Sequence, residues 1–269
     1  MRFVDMELAR RLELAAHEPL APGEDTQARP DGSARIAVGG GIAVFTGIDS
    51  PATQAEGLGL HGPVSEDEFT RLEEFFRSRG SSVFIEVCPM ADPSFIESLG
   101  KRGYRVVEFS NMLLRKVDPA ETFTPAAPGI IVRPISPGEE QLHAETVARG
   151  FADHFAVTDE MIAMIQGFFS RSSGFVAYFV LVDGKVAGGG ALKIRNRIAG
   201  LFGASTLPEF RNRGAQSAVI SARLEIARTS GCDLAMSITQ PSSVSQRNLE
   251  RAGFSVVYTR AKFVRAWEQ

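Results

Sequence analysis

The chain has 269 residues, of which 44% are apolar and 23% charged, with a formal net charge of −3. These are ordinary globular values, which exclude a mainly disordered chain, a coiled coil and a collagen-like chain. A near-neutral balance also gives no bulk attraction to nucleic acid or to an anionic membrane.

The first nineteen residues, MRFVDMELARRLELAAHEP, carry acids throughout and no continuous apolar stretch, so they do not read as a signal or transit peptide. Val4, Leu8 and Leu12 recur at helical spacing and predict an amphipathic helix over 2–16. No window approaches the ~18 apolar residues of a membrane span. The two cysteines, Cys88 and Cys232, make neither a disulfide framework nor a zinc site. Small buried thiols of a reducing compartment account for them, and the expectation is a soluble cytoplasmic protein without a metal.

Gly57 to Gly62 fits GxGxxG by letter, but Pro63 and the acids of Ser65-Glu66-Asp67-Glu68 follow it. Acids at a helix start occupy and repel the place of a phosphate. Ser65 and Glu68 form a capping box that opens a helix with Phe69, Leu72 and Phe76 on one face, stopped by Gly80. Val83–Val87 is a predicted strand. Val117 to Gly129, with three prolines, is the clearest linker. The expected division is therefore 1–117, a linker at 118–129, and 130–269.

The second part continues with a strand at Ile130–Pro134 and a capping box at Ser136–Glu139 with Pro137 at the first helical position. That helix ends at Gly150, and a second starts near Thr158. Strands follow at 175–182, 186–194 and 198–205, the first two joined by the hairpin signal Asp183-Gly184. A helix over 215–229, a strand at 234–239, a short helix to Ala252 and two strands near 254–259 and 261–267 complete the order. This is an α+β pattern with a mixed sheet.

The two parts also share an order of elements. RGSSVFIEVCPMADPSFIESLGKRGYRVVEFSNMLLRKV from Arg79 resembles TSGCDLAMSITQPSSVSQRNLERAGFSVVYTRAKFVRAW from Thr229. Gly80 falls on Gly231, Gly103-Tyr104 on Gly253-Phe254, and Arg115 on Arg265. An internal duplication is the expected origin.

The most informative stretch is Thr206-Leu-Pro-Glu-Phe-Arg211-Asn-Arg-Gly214-Ala-Gln216-Ser217, between a strand and a helix start. Free N–H groups at a helix N-terminus favour an anion, Gly214 permits close approach, and Arg211 and Arg213 suit phosphate oxygens. It is not a Walker loop, because no Gly-Lys-Ser/Thr follows. A solvated basic turn before an ordinary helix is the plainer alternative.

Arg211-x-x-Gly214-x-Gln216 resembles the acetyl-CoA signature of the GNAT superfamily of N-acetyltransferases, and Ala252-Gly253-Phe254 resembles its late Gly-Phe landmark. The resemblance covers 130–269, with the first part similar to a degenerate second copy. It implies two GNAT-like domains, each a mixed sheet flanked by helices, and direct transfer of an acetyl group from acetyl-CoA to an amine. The implied cosubstrate site comprises Ser205, Thr206, Leu207, Arg211, Asn212, Arg213, Gly214, Ala215, Gln216, Ser217 and Asn248. The acceptor is a small-molecule or peptide amine, with no metal, nucleic acid or membrane involved. Gln216 stands where the family has Gly or Ala, and Leu249 where it often has a proton-donating Tyr. A CoA-binding sensor without turnover is therefore the alternative. No general base stands out: Glu86, Asp153, His154 and Glu160 all fit exposed strand, loop or helix-start positions as well.

Overall fold

The computed structural model describes residues 4–16, 32–48, 50–123, 125–153, 156–171 and 174–267. The chain divides into two compact units, one of Met1–Met112 with Val256–Gln269 and one of Leu113–Ser255. Both combine helices with a sheet of parallel and antiparallel strands, an α+β arrangement.

The first unit opens with helix α1 (Met6–Ala16). A meander of β1 (Ala34–Val38), β2 (Gly41–Phe45) and β3 (Gln54–Glu56) follows. Val38 pairs with Gly41 across a two-residue turn, Gly39-Gly40, with φ of 58° and 78°. Two consecutive positive φ values are what a tight hairpin needs. Helix α2 (Glu66–Arg77) then leads to β4 (Val83–Val87), which runs parallel to β3, with Ala55 opposite Ile85. Helix α3 (Pro93–Lys101) precedes β5 (Arg105–Lys116), the strand in which the chain passes into the second unit. The apolar set read from the sequence is the core: Phe69, Leu72, Phe76, Val83, Ile85 and Val87 are all buried, with Phe95 and Leu99 from α3.

The second unit runs β6 (Ile130–Pro134), α4 (Glu140–Gly150), α5 (Asp159–Arg171), β7 (Phe175–Val182), β8 (Lys185–Arg195) and β9 (Ile198–Thr206). A 3-10 turn at Pro208–Phe210 leads to α6 (Ala215–Thr229), β10 (Leu234–Thr239) and α7 (Val244–Arg251). The strand order is β6-β7-β8-β9-β10, antiparallel except for the β9–β10 pair. Among the described residues, no helix is long and apolar enough to cross a membrane, and no cluster of His, Cys, Asp or Glu suits a metal. Cys88 and Cys232 are both free and buried, and desolvation pushes the Cys88 thiol up to about 12.

Three expectations are corrected. The two strands at 254–259 and 261–267 are one strand, β11 (Ser255–Arg265), since no turn residue interrupts Thr259-Arg260-Ala261. Residues 136–139 do not start a helix. The Glu139 carboxylate is drawn to Arg133 and the Ser136 N–H, so 136–139 form a turn and α4 begins at Glu140 without a side-chain cap. The C-terminal residues do not belong with 130–255: β11 pairs antiparallel with β4, from Ala261 opposite Val87 to Arg265 opposite Val83.

That return is fixed by buried charge. Arg260, 2% exposed, lies 3.3 Å from Glu13 of α1 and 3.4 Å from Glu86 of β4. Tyr258 donates to Glu13 at 2.8 Å, and Ser110 to Glu86 at 3.2 Å. Burial raises the Glu13 pKa against the pull of Arg260. Removing one member of such a set strands the others without solvent, which is the costly change.

Candidate active site

The loop after β9 is held open by its backbone. Leu207 N–H donates to Ala187 O at 2.9 Å, and Leu207 is buried, which pins the exit from the strand. Asn212 and Gly214 have φ of 61° and 87°, so the chain turns sharply into α6. Gly214 is the N-cap, and no side chain caps the helix. The first N–H groups of a helix have no intrahelical acceptor, so those of Ala215, Gln216 and Ser217 are available to a ligand. Ala215 is buried, whereas Ser217 and Asn212 are exposed.

Two guanidinium groups flank this end. Arg211 pairs with Asp153 and donates to Thr206 O at 3.3 Å and Gly150 O at 3.2 Å. Arg213 pairs with Asp183 at 2.5 Å and lies over the Phe210 ring. Both pairs are solvent-exposed and worth at most about 1 kcal/mol, so a polyanion can displace them. Thr206 Oγ1 donates to Gln216 Oε1 at 3.4 Å, tying the end of β9 to the start of α6. Ser205 is buried and its hydroxyl donates to Val147 O of α4 at 2.9 Å, which leaves its main chain for other contacts.

β9 itself is irregular beside this loop. Its register with β10 stops at Gly200 opposite Met236, so Phe202–Thr206 have no ladder partner in β10. Against β8, Ala191 faces Phe202 but Gly189 faces Ser205. Two residues, Gly203 and Ala204, therefore oppose the single Gly190, and Gly203 has φ of 56°. This is a β-bulge, a device that re-aims backbone groups.

Helices pack on both faces at the bulge. A Cβ on Gly189 would lie 2.9 Å from His143 Nε2 of α4, and one on Gly190 would lie 3.2 Å from Arg223 Nη1 of α6. Successive strand residues face opposite ways, so the run Gly188-Gly189-Gly190 admits a buried polar side chain from each side. His143 is fully buried with its ring against Phe179, and desolvation lowers its pKa to about 4. It is neutral at pH 7 and has no exposed surface. Sequence reasoning missed His143, Arg223 and the bulge. The glycine run within a strand is the signal that marks them.

The remaining candidates scatter. Asn248 lies half-exposed on α7, and its carbonyl accepts from Ala252 at 3.2 Å. Leu249 is a buried core residue. Asp153 is committed to Arg211, and Glu160 is an exposed helix-start residue whose pKa is lowered by backbone N–H donation and Thr158. Glu86 is neither exposed nor free; it is the buried partner of Arg260 and Lys262 in the first unit. His154 lies outside the described residues.

Residues 141–254 match the acetyltransferase (GNAT) family. The GNAT match begins inside α4, ends before β11 and takes in the bulge, the loop and α6, all in the second unit. Solved structures align over most of the chain. A GCN5-related N-acetyltransferase from Kribbella flavida aligns at 15% identity and TM-score 0.63, covering 87% of this chain and 90% of that one. One from Sphaerobacter thermophilus aligns at 16% identity and TM-score 0.60, covering 92% and 82%. A tandem GNAT protein from the clavulanic acid biosynthesis pathway aligns at 14% identity and TM-score 0.59, covering 98% and 96%. At these identities the likeness is one of fold. No curated protein matches the chain.

Proposed function

We propose that this protein is an N-acetyltransferase that moves an acetyl group from acetyl-CoA directly to an amine, and that the second unit holds the cosubstrate. The observation that carries this reading is the uncapped N-terminus of α6, flanked by Arg211 and Arg213, beside a β9 edge that has left its partner strand. Backbone N–H groups of Gly214 to Ser217 and the two guanidinium groups hold the pyrophosphate. The backbone of Ser205, Thr206 and Leu207 pairs with the pantetheine arm, and Asn212 and Asn248 border it. The bulge amide polarises the thioester carbonyl, as an aimed donor does for developing negative charge. The amine must arrive neutral. No side chain in the second unit is assigned as its base.

A second reading is favoured by one residue. Leu249 places a buried apolar side chain where a proton donor for the departing thiolate is expected, which suits a CoA-binding sensor without turnover. Calorimetry with acetyl-CoA and thiol release against a panel of small-molecule and peptide amines separate the two. Binding with amine-dependent thiol release supports the enzyme, binding without release supports the sensor, and no binding overturns both.

The first unit we propose to be a degenerate copy. β3-α2-β4 repeats β9-α6-β10, including the parallel pair on either side of the helix. Its helix start is filled by its own side chains, which makes its role architectural.

A further inference from the structure

We propose that Arg223 is a positioning residue for acyl transfer: it fixes the β9 bulge and polarises the Phe202–Gly203 peptide so that the Gly203 amide donates strongly to the thioester carbonyl. This rests on the acetyltransferase reading above. Arg223 is 1% exposed, on the face of α6 turned to the sheet. Its guanidinium donates to three main-chain carbonyls: Val219 O at 3.0 Å in its own helix, Ala191 O at 2.9 Å in β8, and Phe202 O at 3.2 Å in β9. Among the described residues, no carboxylate pairs with it.

Ala191 and Phe202 are the last cross-strand partners before the register slips at Gly203-Ala204. One nitrogen, Nη1, joins both carbonyls, so it marks the place where the regular ladder ends. The strand opposite makes room: a Cβ on Gly190 would lie 3.2 Å from that nitrogen and 3.3 Å from the Ala204 Cβ. Phe202 C=O and Gly203 N–H belong to one trans peptide and point opposite ways. A cation on the oxygen draws electron density from the nitrogen side and strengthens the N–H as a donor.

Packing alone does not explain the residue. A buried charge without a counter-ion is costly, and an apolar side chain of similar volume serves a helix–sheet contact at lower cost. Desolvation lowers its pKa to about 9, with Tyr178 opposing. Held on carbonyl oxygens, the cation makes a positive site next to the backbone where charge develops.

The test uses the full chain with Arg223→Met and Arg223→Lys. In the free protein, amide exchange along the β8–β9 ladder on either side of the bulge is expected to rise at least tenfold in Arg223→Met, with Ala215–Ser217 unchanged. With acetyl-CoA carrying carbon-13 at the thioester carbonyl, the bound C=O stretch is expected to return toward its free value. kcat is expected to fall at least tenfold while the Kd for acetyl-CoA stays within threefold. Lysine keeps the charge but cannot span the same carbonyls, so Arg223→Lys should fall between wild type and Arg223→Met. It also serves as the test if the Met variant does not fold.

A folded Arg223→Met with wild-type exchange, carbonyl stretch and kcat overturns the proposal. So does a loss of kcat that merely follows a loss of binding. Wild type alone tests the underlying reading. If it binds acetyl-CoA but transfers to no amine, acyl transfer fails as the function, and with it the catalytic role of Arg223. The exchange and carbonyl shifts then still decide whether Arg223 holds and polarises the bulge.

Discussion

Two helix starts in this molecule follow the same path and end in opposite states. α2 and α6 each leave a strand, β3 or β9, and lead to a parallel neighbour, β4 or β10. At α2 a reciprocal side-chain cap closes the helix start. Ser65 Oγ accepts from Glu68 N–H at 3.3 Å, Glu68 Oε2 accepts from Ser65 N–H at 3.1 Å, and Glu68 Oε1 accepts from Gly39 N–H at 2.9 Å. The loop before it is packed from both sides: Leu58 and Leu60 are buried, Arg10 of α1 donates to Leu60 O at 2.9 Å, and a Cβ on Gly59 would lie 3.0 Å from the Phe95 ring. At α6 no side chain caps the helix and the loop presents two arginines. On the proposed reading, a shared topology offers an anion site that a few side chains keep or close. Gly59 serves packing, and Gly214 leaves the backbone bare.

Acid should separate the two regions most strongly. His143, fully buried with a pKa lowered to about 4, binds a proton more readily when unfolded. Stability in the second unit should therefore fall as pH drops from about 6.5 to 4, by about 3 kcal/mol. The α2 cap behaves differently. Backbone N–H donation from Ser65 lowers the Glu68 pKa, so its contribution is full above about 4.5 and is lost only below that. Amide exchange in α4 and α2 across this range checks the order. If α2 loosens first, the assignment of the acid-labile region is wrong.

Gly214→Asp should act next. It puts a side chain at φ 87° and a carboxylate where the proposed pyrophosphate would approach. A charge at a helix terminus is worth about 0.3–1 kcal/mol. With the blocked approach added, acetyl-CoA affinity should drop about fivefold to tenfold by calorimetry. Unchanged affinity would reduce the loop to a turn. Ser65→Ala should cost about 1 kcal/mol of stability in a denaturant titration, as other cap losses do, and leave acetyl-CoA affinity unaltered. The smallest effect is expected of Glu66→Gln with Asp67→Asn. Turnover should stay within twofold, and its abolition in a folded protein would give the first unit a working site.

The sequence is most legible where local rules decide. Asp183-Gly184, with φ of 51° and 76°, makes the predicted hairpin, and α6 and β10 keep their predicted ends. The Ser65–Glu68 box forms as read. The rest depends on distant partners. The bulge at Gly203 is a relation between β8 and β9, and the places of Arg223 and His143 depend on which helix meets which face. Glu86 reads as an outward strand residue until Arg260 and Lys262, far along the chain, reach it. The meander of β1 to β3 is not among the predicted elements, although Gly39-Gly40 marks its turn.

The return of β11 to the first unit has a consequence for how the protein is made. β4 gains its antiparallel neighbour from Ala261–Arg265, which a ribosome delivers after the whole of the second unit. Until then the first unit has an open strand edge and lacks the Arg260 cation that joins Glu13 to Glu86. Such an edge invites pairing with other chains. Nascent chains halted before residue 256 should engage chaperones or aggregate through the first unit, even when the second is complete. The order of synthesis and the order of folding are thereby inverted: the half that is translated first is the half that closes last.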